Sequence, residues 1–308
     1  MKKIFCVLLV LVMMFLAACN EEEPQITTQP TQTQEESPQW MYFPSDRALT
    51  AKQYFVYDCE QGKFTVNSCA EGEKIYPASV TKLFSAYVAG QYLDMDKKVT
   101  VGNVLSLVAA GSSVAELEKG DQITVAQLIE AMMLPSGNDA AYVLAAAAGS
   151  MILESGATDQ DAVKAFVQEM NRQAKAVGMQ NTHFANPDGI HRSDHYASAD
   201  DLALMGMLAL EDPVLMQCVG TAADTVTLAS GEKQWENTNA LIQPESEYYC
   251  PYAIGLKTGQ TPSAGSCLLS AFEYEGRTLI VGVFGCPEKE DRFADTLQLF
   301  NETIGYTG

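Results

Sequence analysis

The chain has 308 residues, 47% of them apolar and 19% charged, and its net charge at pH 7 is −20. That length and apolar share allow a large buried core, in one large domain or two smaller ones, and exclude a wholly disordered or fibrous chain. The acidic balance repels nucleic acid and anionic lipid heads, and no basic stripe offsets it, so no nucleic-acid partner is expected.

At the N-terminus, Lys2-Lys3 precede an apolar run from Ile4 to Ala18. The run is short for a membrane span but has the charged and apolar regions of a secretory signal. It ends in Leu16-Ala-Ala-Cys19, which resembles a bacterial lipobox. The resemblance implies that residues 1–18 are a lipoprotein signal peptide, that Cys19 is lipidated after cleavage, and that the protein is extracytoplasmic and anchored to the bacterial membrane by that lipid. An ordinary secretory signal with an incidental cysteine is the alternative. Cleavage removes Lys2 and Lys3, leaving 17 basic residues against 39 acidic ones. Residues 19–44 are expected to form a disordered tether, because from 20 to about 39 the chain is Glu, Gln, Thr and Pro with almost no apolar content. Twenty such residues reach at most about 65 Å.

The folded domain is expected over residues 45–308. Gln53 to Tyr57 and Phe64 to Val66 flank Glu60-Gln-Gly-Lys63, a hairpin pattern. A helix is expected from Val80 to about Tyr92, with Leu83, Phe84, Tyr87 and Val88 inward. More helices are read over Ala126–Leu134, Asn138–Ala148, Ala162–Val177 and Asp200–Leu210, the last after a Ser198-Ala199 start signal. Strand patterns return over Ala253–Gln260, Gly265–Phe272 and Thr278–Gly285, and a final helix covers about Arg292–Ile304. The expected class is α+β: one antiparallel sheet completed by both ends of the domain and flanked by helices, with an all-helical subdomain inserted at about 90–210.

Six cysteines follow Cys19, an even number that permits disulfides in an exported protein without setting a pattern. Cys59 and Cys69 flank the first hairpin, but its turn is off-centre between them, which argues against a cross-strand bridge. Zinc spacing is absent, and no metal or cofactor is expected.

Three short motifs carry chemistry: Ser79-Val-Thr-Lys82, Ser136-Gly-Asn138 and Lys257-Thr-Gly259. Each is weak alone, and Ser230-Gly-Glu-Lys233 also matches the first. That copy lies in a Ser-Gly turn with no helix after it, whereas Ser79 follows Pro77-Ala78 and opens an apolar-periodic helix. There positions i and i+3 share a face, bringing Lys82 to Ser79, and the helix N-terminus offers free N–H groups to an oxyanion. A serine in this place also suits a helix N-cap. Lys82 can act as a base only when uncharged, which burial and the nearby charge of Lys257 would favour. Ser136 and Asn138 occupy a loop between helices, where either could cap the next helix or be aimed into a cleft. Lysine on an edge strand is commonly a guard against aggregation; Gly255 and Gly259 beside Lys257 point instead to close approach of a ligand.

At these sites the sequence resembles the serine-type D-alanyl-D-alanine carboxypeptidases, the low-molecular-mass penicillin-binding proteins of peptidase family S11. Tyr76-Pro-Ala-Ser-Val-Thr-Lys82, Met133-Leu-Pro-Ser-Gly-Asn-Asp-Ala-Ala141, Asn181-Thr-His-Phe-Ala-Asn-Pro-Asp-Gly189 and Gly255-Leu-Lys-Thr-Gly-Gln-Thr261 read as family blocks in the expected order. The resemblance implies a β-lactamase/transpeptidase-like fold. It also implies that Ser79 attacks the carbonyl between the terminal D-alanines of a peptidoglycan stem peptide while Lys82 takes its proton. Ser136 would pass that proton on, Asn138 orient substrate and lysine, and Lys257, Thr258 and Gly259 bind the terminal carboxylate. The N–H groups of Ser79 and Gln260 would form the oxyanion hole, and β-lactams would acylate Ser79. Only about four residues follow the last helix, where many relatives carry a further domain and an anchor.

Two other functions compete with this one, and the first shares its motif order. A class A-like β-lactamase needs a glutamate in an E-x-x-L-N segment, and the nearest match, Glu236-Asn-Thr-Asn239, lacks the leucine and lies just before the third motif. A non-catalytic β-lactam sensor needs no intact nucleophile, relay and clamp.

Overall fold

The computed structural model describes residues 39–153 and 157–308. The segments expected as signal peptide, lipidated Cys19 and most of the tether therefore lie outside the described residues. Of the segment expected as tether, 19–44, the part from Trp40 packs against the folded core. The indole N–H of Trp40 donates to Asn301 Oδ1 at 2.8 Å and its ring stacks on Tyr306 with centroids 3.9 Å apart. Met41 and Phe43 lie against the same core, so 40–44 belong to the fold: their apolar groups find partners near the other end of the chain.

In chain order the elements begin with strands β1 (Gln53–Asp58) and β2 (Lys63–Asn67), then helix α1 (Thr81–Gly90). Strands β3 (Lys98–Thr100) and β4 (Gln122–Thr124) follow, then helices α2 (Val125–Met133), α3 (Asn138–Leu153), α4 (Asp159–Val177), α5 (Ala199–Leu210) and α6 (Pro213–Gly220). The chain ends through β5 (Ala223–Leu228), β6 (Gly231–Glu236), β7 (Ala253–Thr261), β8 (Gly265–Tyr274), β9 (Arg277–Cys286) and α7 (Asp291–Ile304).

Five strands form one sheet in the order β2-β1-β9-β8-β7, every neighbour antiparallel, so both ends of the domain build it as expected. Successive strand residues face opposite sides. Phe55, Ile280 and Phe284 point to the helical layer with Leu83 and Phe84 of α1. Val56, Val281 and Val283 point to α7, where Phe293, Leu297 and Phe300 cover them. Both faces are thus dry, which is why Leu268–Phe272 and Leu279–Val283 are buried without a break. The β8–β9 turn uses Glu275 and Gly276 with φ of +50° and +76°, the left-handed pair that suits a two-residue hairpin.

The first hairpin pairs Asp58 with Lys63 and Phe55 with Asn67, so Cys59 and Cys69 are not opposite each other. All six described cysteines are unpaired. The sequence patterns do not reach the ribbon of β3 and β4, the hairpin of β5 and β6, or α6. Three-residue strands have no readable period, and β5–β6 carries polar residues on one face. The insertion therefore contains a small ribbon as well as its helices. Ser230 lies at the turn between β5 and β6, and no helix follows it, as its motif copy requires.

Helix α3 packs on α4 through Gly149, where an added Cβ would stand 1.9 Å from the carbonyl oxygen of Ala162. Gly149→Ala gains helix propensity of about 1 kcal/mol but forces two helices apart. We expect net destabilisation of about 1–3 kcal/mol, read from chemical denaturation; an unchanged or raised midpoint would contradict this packing.

Candidate active site

The nucleophile candidate is placed by a tight turn rather than by the helix itself. Ala78 to Val80 form one 3-10 turn before α1, and Ala78 has φ +49°. Neither N-cap in this region makes a side-chain capping bond, so Ser79 does not serve as an N-cap. Three of the five described non-glycine residues with positive φ adjoin or belong to the motifs: Ala78, Ser136 at +60° and Leu256 at +78°. Such conformations cost about 1–3 kcal/mol each and persist where surrounding structure imposes them.

Lys82 is fully buried one turn after Ser79. Its Nζ donates to Ser79 Oγ at 2.8 Å, to Asn138 Oδ1 at 2.7 Å and to the carbonyl oxygen of Asp188 at 2.9 Å. Burial pushes its pKa down to about 8, while the carboxylates of Asp188 and Asp139 pull it back up. The sequence reading assigned part of this lowering to Lys257. Burial accounts for it instead and the two aspartates oppose it, while Lys257 is itself depressed by burial first and by Lys82 second. With a pKa of about 8, close to a tenth of Lys82 is free base at pH 7, against well under a thousandth for an ordinary lysine.

Asn138 opens α3, and its backbone N–H is held by the carbonyl of Ser113 at 2.9 Å. The adjacent Asp139 carboxylate accepts the N–H groups of Ala115 and Leu117 at 2.8 and 3.0 Å, fastening the 113–117 loop to the same helix start. Ser136 is buried and shares a cavity of about 320 Å3 with Ser79, Thr238, Thr258, Gly259, Gln260 and Arg292. A second cavity of about 530 Å3 also opens on Ser79, lined by Ser112, Ser113, Asn138, Ile190, His191, Gln260 and Thr261. Ser79 thus stands at the junction of two spaces.

The third motif lies on β7, the edge of the large sheet. Gly255 and Gly259 prove to meet protein backbone rather than open space. A Cβ on Gly259 would lie 2.8 Å from Pro77 O and 3.0 Å from Ser79 N, and one on Gly255 would lie 2.5 Å from Val219 O. The glycines let the nucleophile turn and α6 close on the strand, bringing Gly259 and Gln260 alongside the Ser79 N–H. Lys257 is buried behind Thr258, with Nζ 3.2 Å from the Thr258 carbonyl oxygen. Burial, then Lys82 and Arg292, push its pKa well below its ordinary value. The Thr258 hydroxyl is 2.6 Å from that of Thr238.

Sequence reasoning missed three groups. Arg292 lines the smaller cavity, is 5% exposed, and donates through Nη1 to Gly259 O at 3.3 Å. It sits in the first turn of α7, where the helix dipole disfavours a cation, and that misplacement was a readable signal. Thr238 and Asp188 left no such sign. His195 is not a base here: its Nε2 is 2.8 Å from Thr81 Oγ1, and burial drives its pKa to about 3. Glu236 is exposed at the end of β6 and lines neither cavity.

Together the groups offer a hydroxyl bonded to a partly uncharged amine, N–H donors beside it, and a pocket with cationic and hydroxyl walls. This can form and hydrolyse a serine ester and receive an anionic group next to the reacting carbonyl.

Residues 41–288 match the family model described as D-alanyl-D-alanine carboxypeptidase. A D-alanyl-D-alanine carboxypeptidase of Streptomyces sp. (strain K15) is 36% identical over 72% of this chain and 77% of its own length. The carboxypeptidase DacF of Bacillus subtilis (strain 168) is 30% identical over 83% of this chain and 63% of its own. The chain therefore spans less than two thirds of the length of that second relative. The crystal structure of the Streptomyces K15 DD-transpeptidase superposes with a TM-score of 0.75 at 31% identity, covering 84% of this chain and 98% of that one. The β-lactamase/transpeptidase-like fold expected from the motifs is the fold found.

If uncharged Lys82 is the base, the rate at which an acylating reagent labels Ser79 rises with pH through a midpoint near 8. A rate independent of pH from about 6 to 9 would exclude it.

Proposed function

The chain belongs to the D-alanyl-D-alanine carboxypeptidase family of serine peptidases, and from that premise we propose that it removes the terminal D-alanine of peptidoglycan stem peptides through an acyl-enzyme on Ser79. The observation that carries the reading is the 2.8 Å contact of the buried Lys82 amine with the Ser79 hydroxyl. Lys82 takes the hydroxyl proton as Oγ attacks the carbonyl between the two D-alanines. Asn138 Oδ1 and the Asp188 carbonyl hold the amine on line. The N–H groups of Ser79 and Gln260 receive the developing oxyanion, worth about 100- to 1000-fold in rate per donor. Ser136, in the same cavity, relays the proton to the departing amine.

The substrate carboxylate enters the smaller cavity. There the Thr258 hydroxyl meets it, with the Lys257 amine buried behind and Arg292 on the wall. Gly259 keeps the strand close enough for both ends of the scissile unit to be held at once. Water then releases the shortened peptide. β-Lactams present a strained amide beside a carboxylate and enter by the same route. A solved relative is named a DD-transpeptidase, so transfer to an amine is the second reading.

Incubation with a pentapeptide ending in D-Ala-D-Ala releases D-alanine, and penicillin gives a long-lived adduct. Rapid penicillin turnover would mark a β-lactamase, and a transfer product with an added amine would mark a transpeptidase. Ser79→Ala abolishes both reactions and leaves the thermal midpoint within a few degrees; retained labelling would mean the wrong serine.

The lipid anchor at Cys19 and the extracytoplasmic location are part of the proposal, resting on Leu16-Ala-Ala-Cys19. Metabolic labelling with an alkyne fatty acid marks the parent and not Cys19→Ala. Equal labelling of both would remove the anchor from the proposal.

A further inference from the structure

The segment Asn186 to Ile190 is irregular backbone held unusually firmly. The Asn186 side chain accepts the Gly189 N–H at 2.8 Å and donates to Ile190 O at 2.7 Å. The Ser85 hydroxyl of α1 donates to Pro187 O at 2.7 Å. Gly189 has φ +87°, and a Cβ there would stand 1.9 Å from Ala78 O, so this loop is clamped against the nucleophile turn. The clamp presents Asp188, 1% exposed, beside Lys82.

The Asp188 side chain is poorly served by its surroundings. Oδ1 accepts one N–H, that of Ile190, at 3.2 Å, and Oδ2 is buried without a hydrogen-bond partner among the described residues. Asp139, the other carboxylate felt by Lys82, differs: it accepts the N–H groups of Ala115, Leu117 and Ala140. Its charge is already spread over three donors. A buried carboxylate oxygen with no donor is stable only if a nearby cation compensates it. The groups facing the pair are Asp139 and Tyr142 of α3 and Lys257 of β7, with Arg292 of α7 acting on Lys257. Burial pushes the Asp188 carboxyl up and the charge of Lys82 pulls it down. No direct ion pair joins the two side chains. The geometric link is the 2.9 Å contact of the Lys82 amine with the Asp188 carbonyl oxygen, which brings the unpartnered carboxylate into the same buried space.

We propose that Asp188 is a positioning residue whose unpartnered carboxylate sets the charge of Lys82, favouring the ammonium that forms when Ser79 gives up its proton. It touches no reacting atom. Its backbone carbonyl aims the amine, and its side chain compensates the charge that the amine acquires in each acylation. The cost is a smaller share of uncharged Lys82 in the resting site. The part of this concerning acylation rests on the chemistry proposed above; the pairing of Asp188 with Lys82 does not.

The test uses 13C-labelled lysine in the whole protein, with the Lys82 signal assigned by its absence in Lys82→Arg. Asp188→Asn keeps the backbone carbonyl and the acceptor for Ile190 but removes the charge. It is expected to lower the Lys82 titration midpoint, and the acid limb of the Ser79 acylation profile, by about one pH unit. Asp188→Glu restores both toward the parent. An unmoved or raised midpoint in folded Asp188→Asn overturns the pairing even where Ser79 still acylates. A lowered midpoint in a protein that never acylates upholds the pairing and sinks the acylation reading instead. Should Asp188→Asn fail to fold, the carboxyl 13C signal of Asp188 in the unaltered protein decides: ionised at pH 7 supports the pairing, protonated overturns it.

Discussion

Burying Lys82 beside Ser79 makes two demands that shape the molecule around them. Removing the amine from water weakens its hold on a proton, which makes it usable as a base near neutrality. It also leaves three N–H donors that must find acceptors in a dry interior. Those acceptors come from the turn before α1, from α3 and from the 186–190 segment, the last two far from the first in the chain. The helical layer and its irregular loop are thus joined at one nitrogen atom.

The backbone around that atom is under local strain, and its placement follows a pattern. Ala78, Ser136 and Leu256 each adopt a left-handed conformation next to or within a motif. A strained residue turns the chain sharply, so the following side chain can point where a regular helix or strand would not send it. Gly189 and Gly259 both close on the same turn, one from the irregular loop and one from β7. The nucleophile turn is therefore held by close backbone approach of two separate segments. Behind it, the sheet is covered on both faces, and Asp295 of α7 ties down the N-terminal segment through Arg47 at 2.7 Å and the N–H groups of Thr50 and Ala51 at 2.8 and 2.7 Å.

Charge is distributed unevenly in this setting. A strongly acidic chain concentrates Lys82, Lys257 and Arg292 around one cleft, all nearly inaccessible to water. Lys257 and Arg292 are both pushed down by burial, and their cavity favours an anion that would relieve the repulsion among them. The larger cavity has hydroxyls and His191 on its walls and neither a carboxylate nor an ammonium group, whereas the smaller one is lined by Arg292 and Lys289 with a single carboxylate, Glu290. The two spaces that meet at Ser79 differ in electrostatic character, as a substrate with one charged end requires.

Much of this was legible in the residues because it depends on neighbours in sequence. Helical spacing brings Lys82 to Ser79, and alternation with Glu275-Gly276 makes the β8–β9 hairpin. The apolar stripe from Leu128 to Met133 buries α2, and Ser198 caps α5 by accepting the Asp201 N–H at 3.3 Å. The Asp212-Pro213 start of α6 was equally readable and was overlooked. Only the tertiary structure decided what Gly255 and Gly259 admit, why Lys257 lies behind Thr258, and that Arg292 and Asp188 reach the site. Those facts depend on contacts between separate elements, from Arg292 on Gly259 33 residues away to the Lys82 amine on the Asp188 carbonyl 106 residues away, and neither spacing nor composition encodes how packed layers bring such segments together.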